Sequence, residues 1–189
     1  MIDLASTPII ILVILGSVGV ALPVVSIALK ERPSMISYGI ATLIALFAAI
    51  GYVLYQLALD HVAPAAIFSQ DVLVDDAFGA LFAIAMLIVA IFTTVGSFSY
   101  MKNKANPSVY FSLILLSAIG MVLVAYATDL VMLFVAWELM SIPTYVLVGF
   151  LKKNPISNEA AIKYFLFGAL SSAIIIYGIS LAYGITGST

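Results

Sequence analysis

Cysteine is absent from this chain, and histidine and tryptophan each occur once. Without thiols there is no disulfide, no thiolate-held zinc and no thiolate-held iron–sulfur cluster. The single histidine, His61, falls in a loop beside Asp60, where two adjacent side chains make a weak case for a metal. No redox centre is therefore expected within the chain. Charge is scarce too: Asp, Glu, Lys and Arg supply 8% of residues, against about 25% in an average soluble domain. The formal net charge of −2 is spread over loops on opposite sides of a membrane, so it points to no nucleic-acid partner. A basic start is missing as well. Asp3 stands where a secretory leader carries Lys or Arg, so the first apolar run reads as a membrane span rather than a signal peptide.

What fills the chain instead is apolar side chain, 65% of residues, with a mean hydropathy of +1.25. That composition is an integral membrane protein. A helix needs about 20 apolar residues to cross the ~30 Å hydrocarbon layer, and six such runs can be marked out, at 9–29, 37–59, 78–98, 109–127, 130–151 and 160–185. The expected fold is thus all-α, with six transmembrane helices. Pro23 inside the first run removes a backbone donor and should loosen that helix. The connection 60–76 holds four Asp, one His and no Lys or Arg, and reads as a surface loop with an extended piece. Asn106-Pro107 ends the next loop by turn chemistry. Asp129 is placed to cap the fifth helix, and Ser157 or Asn158 the sixth, with Glu159 in its first turn to meet the dipole. Lys30, Arg32, Lys102, Lys104, Lys152 and Lys153 follow helices one, three and five, while no Lys or Arg follows helix two or four. By the positive-inside rule the N-terminus lies outside, in a multi-pass protein of the cell membrane.

One carboxylate breaks this pattern. Glu138 lies in the middle of DLVMLFVAWELMSIPTYVLVGF, at 129–150, too far from either end of the span to reach water. Placing it there costs roughly 2.5 to 3.5 kcal/mol, so it must face a partner, water or the bundle interior. Ser141 and Tyr145, three and seven residues on, share its helical face and provide a polar stripe. Pro143 frees the carbonyl of Leu139. Lys163, in the first turns of the sixth helix, is the candidate cationic partner; a Glu with a movable cation beside it can load and unload a proton. Snorkelling to the interface is the alternative for that lysine. Gly168 and Ser172 form a small-xxx-small pair, with Ser171 beside them, that permits close approach of a neighbouring helix. The tyrosines fall mostly near span ends as interfacial anchors, whereas Trp137 beside Glu138 is too deep for that role.

The run WELMSIPTYVLVGF, the basic loop and helix LKKNPISNEAAIKYFLFGALSSAIIIYGISLAYGITGS, and the 25-residue separation of Glu138 from Lys163 resemble the antiporter-like proton-channel subunits of respiratory complex I. The patterns EAAIKYFLFGALSS and YG-x-TG look more like subunit N, shared by NADH:quinone oxidoreductase and the F420-linked dehydrogenases, than like subunits L and M. The resemblance is strong over 109–188 and only topological before it. It divides the chain into a three-helix segment, 1–108, and helices four to six, 109–189, the start of the first antiporter-like repeat. It implies a membrane-arm subunit whose fifth-helix glutamate, here Glu138, pairs with lysines on later helices, with Lys163 matching the sixth-helix lysine. Flavin, iron–sulfur clusters and a quinone or phenazine are then expected in partner subunits and no cofactor in this chain.

Members of that family have about fourteen helices in two inverted repeats, whereas this sequence supplies six. The broken seventh helix and its lysine are not among them. The chain is then expected to be an N-terminal portion, or to share its work with a separate chain, and not to pump alone. Two other readings remain at this point: a subunit of a multi-subunit cation/proton antiporter or membrane-bound hydrogenase, and a purely structural membrane subunit in which Glu138 and Lys163 only fix helix packing.

Overall fold

In the computed structural model, residues 6–29, 34–59, 65–66 and 72–188 are described. They form helices α1 (Thr7–Ala28), α2 (Met35–Ala58), α3 (Ala77–Tyr100), α4 (Pro107–Tyr126), α5 (Leu130–Val148) and α6 (Pro155–Thr186), and two short strands, β1 (Ala65–Ala66) and β2 (Val74–Asp75). Each helix is long and apolar enough to cross a membrane. The chain is an all-α, multi-pass membrane protein. The charged stop at 30–32, Asp60 and His61 lie outside the described residues. The extended piece expected in the second connection, between α2 and α3, is the antiparallel pair β1–β2, in which Ala65 faces Asp75 and Ala66 faces Val74.

Helix ends follow local chemistry. Asp76 and Asp129 cap α3 and α5 through their carboxylates, which accept from Gly79 N (2.7 Å) and Met132 N (2.8 Å). Asn106 caps α4 in the left-handed region, φ 57°, and Pro107 opens the helix. That is a conformation Asn tolerates, and the following proline keeps it away from the right-handed helix. The sixth helix departs from expectation. It begins at Pro155 rather than near 160, and its cap is Asn154, whose side chain accepts from Ile156 N at 3.0 Å. Asn at the cap with Pro in first position outcompetes the later Ser157 and Asn158. Those two lie in the first turn and donate to the carbonyls of Val148 (2.7 Å) and Lys152 (3.0 Å), while Glu159 falls beyond that turn.

Helix α4 is the centre of the bundle. Twelve of its residues are buried, against none of α6, and it packs on α5, α1, α3 and, less extensively, α2. Small residues make this possible, because in lipid the association of helices rests on close packing and interhelical hydrogen bonds rather than on hydrophobic burial. Ser112 Oγ donates to the carbonyl of Gly19 on α1 at 2.5 Å, Ser117 Oγ to that of Met140 on α5 at 3.0 Å, and Ser97 on α3 meets Tyr110 at 3.2 Å. Gly120 is the tightest point: a Cβ there would fall on the backbone nitrogen of Met140. At the Asp end, Thr7 N–H at the start of α1 donates to Asp75 Oδ2 (2.7 Å), tying β2 to α1, and Thr128 N–H donates to Val72 O (3.2 Å), tying the residues before β2 to the α4–α5 turn. Helix α6 packs mainly on α5, with 32 residues and so roughly 48 Å of length at about 1.5 Å per residue.

Two predictions test this packing. Gly120→Ala should lower unfolding free energy by about 1–3 kcal/mol through overpacking, measured by circular dichroism during reversible unfolding in mixed micelles. Gly51→Ala, at a glycine with nothing within 4 Å, should stay within about 0.5 kcal/mol of the parent. For α5 and α6, a Cβ on Gly149 would lie 2.8 Å from the Cβ of Ala161. A disulfide needs about 3.8 Å, so Gly149→Cys with Ala161→Cys should cross-link under mild oxidation once the two backbones ease apart by about 1 Å; persistently free thiols would show that the helices do not meet in this register.

Candidate functional site

The site is built where α5 and α6 run antiparallel. From the Lys-bearing end inward, Gly149 faces Ala161, the Tyr145 ring covers Gly168, and Glu138 meets Ser172. A side chain at position 168 would overlap the Tyr145 phenol, so glycine there is what seats that ring against α6. Tyr164 and Phe165 meet it edge-on, with centroids 5.2 and 5.7 Å away. The small-xxx-small pair read from the sequence is therefore a contact: position 168 gives room and position 172 gives a hydroxyl.

Glu138 is half-buried, one side of it closed by α6 and about half a turn away from the α4 contact at Met140. Ser172 Oγ donates to Glu138 Oε1. A hydroxyl donating to a carboxyl at this depth satisfies one of its oxygens in an environment that offers no water-like solvation. Ser141 is buried on the same helix, and Thr144 Oγ1 donates to its carbonyl at 2.6 Å. Thr144 also lies 3.4 Å from the Tyr164 hydroxyl. Hydroxyl groups thus extend from Glu138 towards the Lys-bearing end through Ser141, Thr144, Tyr164 and Tyr145.

Lys163 is not brought to Glu138. Its Nζ lies 2.5 Å from Glu159 Oε1, an i,i+4 pair with both side chains about two-thirds exposed. The reason is helical geometry. Nine residues separate Lys163 from Ser172, which is level with Glu138; that is roughly 13 Å along the axis and about half a turn around it. Ser171, one position from Ser172, is likewise turned away, and its hydroxyl donates to the carbonyl of Phe167 on its own helix at 2.9 Å. Trp137, beside the carboxylate, is 39% exposed. Sequence reasoning had passed over Ser117 and Gly120, which hold α5 at Met140 beside the carboxylate. The available signal was the cluster of small residues at 117–120 in an otherwise bulky span. No group of three or more His, Cys, Asp or Glu that could hold a metal occurs among the described residues.

Comparison with known proteins follows the same helices. The family model for NADH:quinone oxidoreductase/Mrp antiporter transmembrane proteins matches residues 127–189, the stretch that contains α5 and α6. The NADH-quinone oxidoreductase subunit N of Desulfitobacterium hafniense is 40% identical over 149 residues, covering 78% of this chain and 29% of that protein. The F(420)H(2) dehydrogenase subunit N of Methanosarcina mazei is 40% identical over 123 residues, 65% of this chain and 25% of its own length. The chain thus spans less than a third of these relatives. In fold, a chain of respiratory complex I from Thermus thermophilus with bound aureothin matches 94% of this chain and 37% of its own, with a TM-score of 0.75 and 31% identity. An archaeal membrane-bound sulfane sulfur reductase shares the fold at a TM-score of 0.78 and 22% identity, over 96% of this chain and 38% of that one. By sequence the chain is similar to part of the subunit N of NADH-quinone oxidoreductase and F(420)H(2) dehydrogenase, and its family model and fold agree with an antiporter-like membrane subunit of that kind.

Proposed function

We propose that this chain forms part of a membrane-arm subunit of a redox-driven, proton-translocating oxidoreductase, and that Glu138 is its proton-carrying group. One observation carries the reading: a half-buried carboxylate in the middle of α5, held by a hydroxyl from the neighbouring helix. A carboxyl at that depth is costly unless it is used. The two oxygens of Glu138 divide the work. One accepts from Ser172, fixing the side chain against α6, and the other is the site of proton gain and loss. The hydroxyls of Ser141 and Tyr145 supply a polar line along α5 towards the cytoplasmic side, where Lys102, Lys104, Lys152 and Lys153 place that end of the bundle.

Lys163 enters this scheme as a second charged station rather than as a contact. Lys163 and Glu138 lie on opposite sides of α6 and more than about 13 Å apart, where unit charges at an effective dielectric near 20 interact by less than roughly 1.3 kcal/mol, and Glu159 and solvent offset part of the lysine charge. The charges therefore communicate across α6 without touching. Ordering of the Lys163–Glu159 pair, or its release, alters the field at Glu138. Ser171 lies on the helix between the two stations.

In this reading helices α4 to α6, within 109–189, belong to the first antiporter-like repeat, with 1–108 as a preceding three-helix segment. The N-terminus lies outside, and the assembly sits in the cytoplasmic membrane. Flavin, iron–sulfur clusters and the quinone or phenazine belong to partner subunits, so this chain supplies no redox centre and no catalytic residue for electron transfer. A cation/proton antiporter is the second reading, favoured by the breadth of the family description, which spans oxidoreductases and Mrp antiporters.

Glu138→Gln, in the assembled complex, should abolish or strongly reduce proton translocation measured by quenching of a pH-sensitive dye in inverted vesicles, with assembly intact on a native gel. Unchanged pumping sinks the proposal, and sodium-dependent proton exchange with no electron donor present favours the antiporter reading. Ser172→Ala should slow translocation less than Glu138→Gln and lower the unfolding free energy by about 0.6–2 kcal/mol, the range of interhelical hydrogen bonds in membranes.

A further inference from the structure

Away from Glu138, at the end of the bundle where α3 begins and α4 finishes, a half-open groove of about 370 Å³ lies between these two helices. Its α3 wall is made by Phe78, Phe82 and Met86, and Val124 and Thr128 line it from the α4 side. The α3 residues recur every four positions, so they form one stripe along the helix. Phe78 and Phe82 stand 4.7 Å apart, and they are 70% and 41% exposed. From Asp76 at the mouth to Met86 at the far end is ten residues, roughly 15 Å, which is about half of the ~30 Å hydrocarbon layer. An apolar stripe that starts at the interface and stops at the midplane has the depth of one leaflet, and so of one acyl chain.

The mouth carries the opposite chemistry. Asp76 Oδ1 accepts the capping N–H of Gly79, and its second oxygen has no partner among the described residues. Asp75 adjoins it. Every Lys among the described residues, at 102, 104, 152, 153 and 163, lies at or near the other end of the bundle. The carboxylates of Asp75 and Asp76 outweigh the partial positive charge of the α3 N-terminus, so a phosphate headgroup alone would meet net negative charge here, and a quaternary ammonium offers no N–H. A primary ammonium supplies both positive charge and three donors to a free carboxylate oxygen.

We infer that the α3–α4 groove binds one phospholipid with a primary-amine headgroup, its chain against Phe78, Phe82 and Met86 and its ammonium on Asp76. The test uses the chain purified with its membrane partners and exchanged into nanodiscs holding phosphatidylethanolamine, phosphatidylglycerol and phosphatidylcholine in equal amounts with identical chains. Retained lipid is counted by native mass spectrometry. The expected result is one retained phosphatidylethanolamine, preferred about fivefold over either competitor, the scale of one screened charge contact at a membrane surface. Asp76→Asn, which still caps α3, should bring the three headgroups to equal retention. Phe78→Ala, at a mostly exposed position that folding tolerates, should lower retention of all three several-fold. Equal retention in the parent, an unchanged preference in Asp76→Asn, or full retention in Phe78→Ala would each overturn the inference.

Discussion

The contact of Gly120 with the backbone of Met140 sets the rotation of α5, and the rest of the site depends on it. With Met140 against α4, and Ser117 bonded to its carbonyl, Glu138 is turned away from α4 and towards α6. Helices in lipid gain little from hydrophobic burial, so a glycine and a serine can orient a whole span. A larger residue at 120 would move the carboxylate by displacing its helix, without touching it.

The second interface is lighter and holds the carboxylate. Helix α6 has no buried residue, and it meets α5 through a glycine, a ring and a hydroxyl. Its far face presents Lys163 and Glu159 outward, along with a long apolar surface. Glu138 and Lys163 thus address different neighbours.

Much of the fold was legible because the bilayer imposes simple rules. A run of about 20 apolar residues is a span, scarce charges mark the ends, and Asp129 acts as the cap that its position in a two-residue turn implies. An extended piece near Asp75 also followed from a connection too short to cross and too long for a turn, whereas its antiparallel pairing came only with the structure. The start of α6 did not, because several capping residues compete over 154–158 and the choice falls to the proline that follows Asn154. In the site, the 168–172 spacing announced a close helix contact, and Glu138 announced itself by its depth. The partner of Glu138 was not legible: Lys163 has the complementary charge, but charge in a sequence carries no azimuth.

The sequence alone determined that this is a six-span membrane chain with a carboxylate in its fifth helix, since hydropathy and scarcity of charge are properties of composition and order. Only the tertiary structure decided which helix Glu138 faces, that Ser172 rather than Lys163 meets it, and that α4 is the core. Those outcomes depend on how one helix is rotated against another, and that rotation is set by where small residues on two different helices coincide in depth, a relation between segments that no single segment contains.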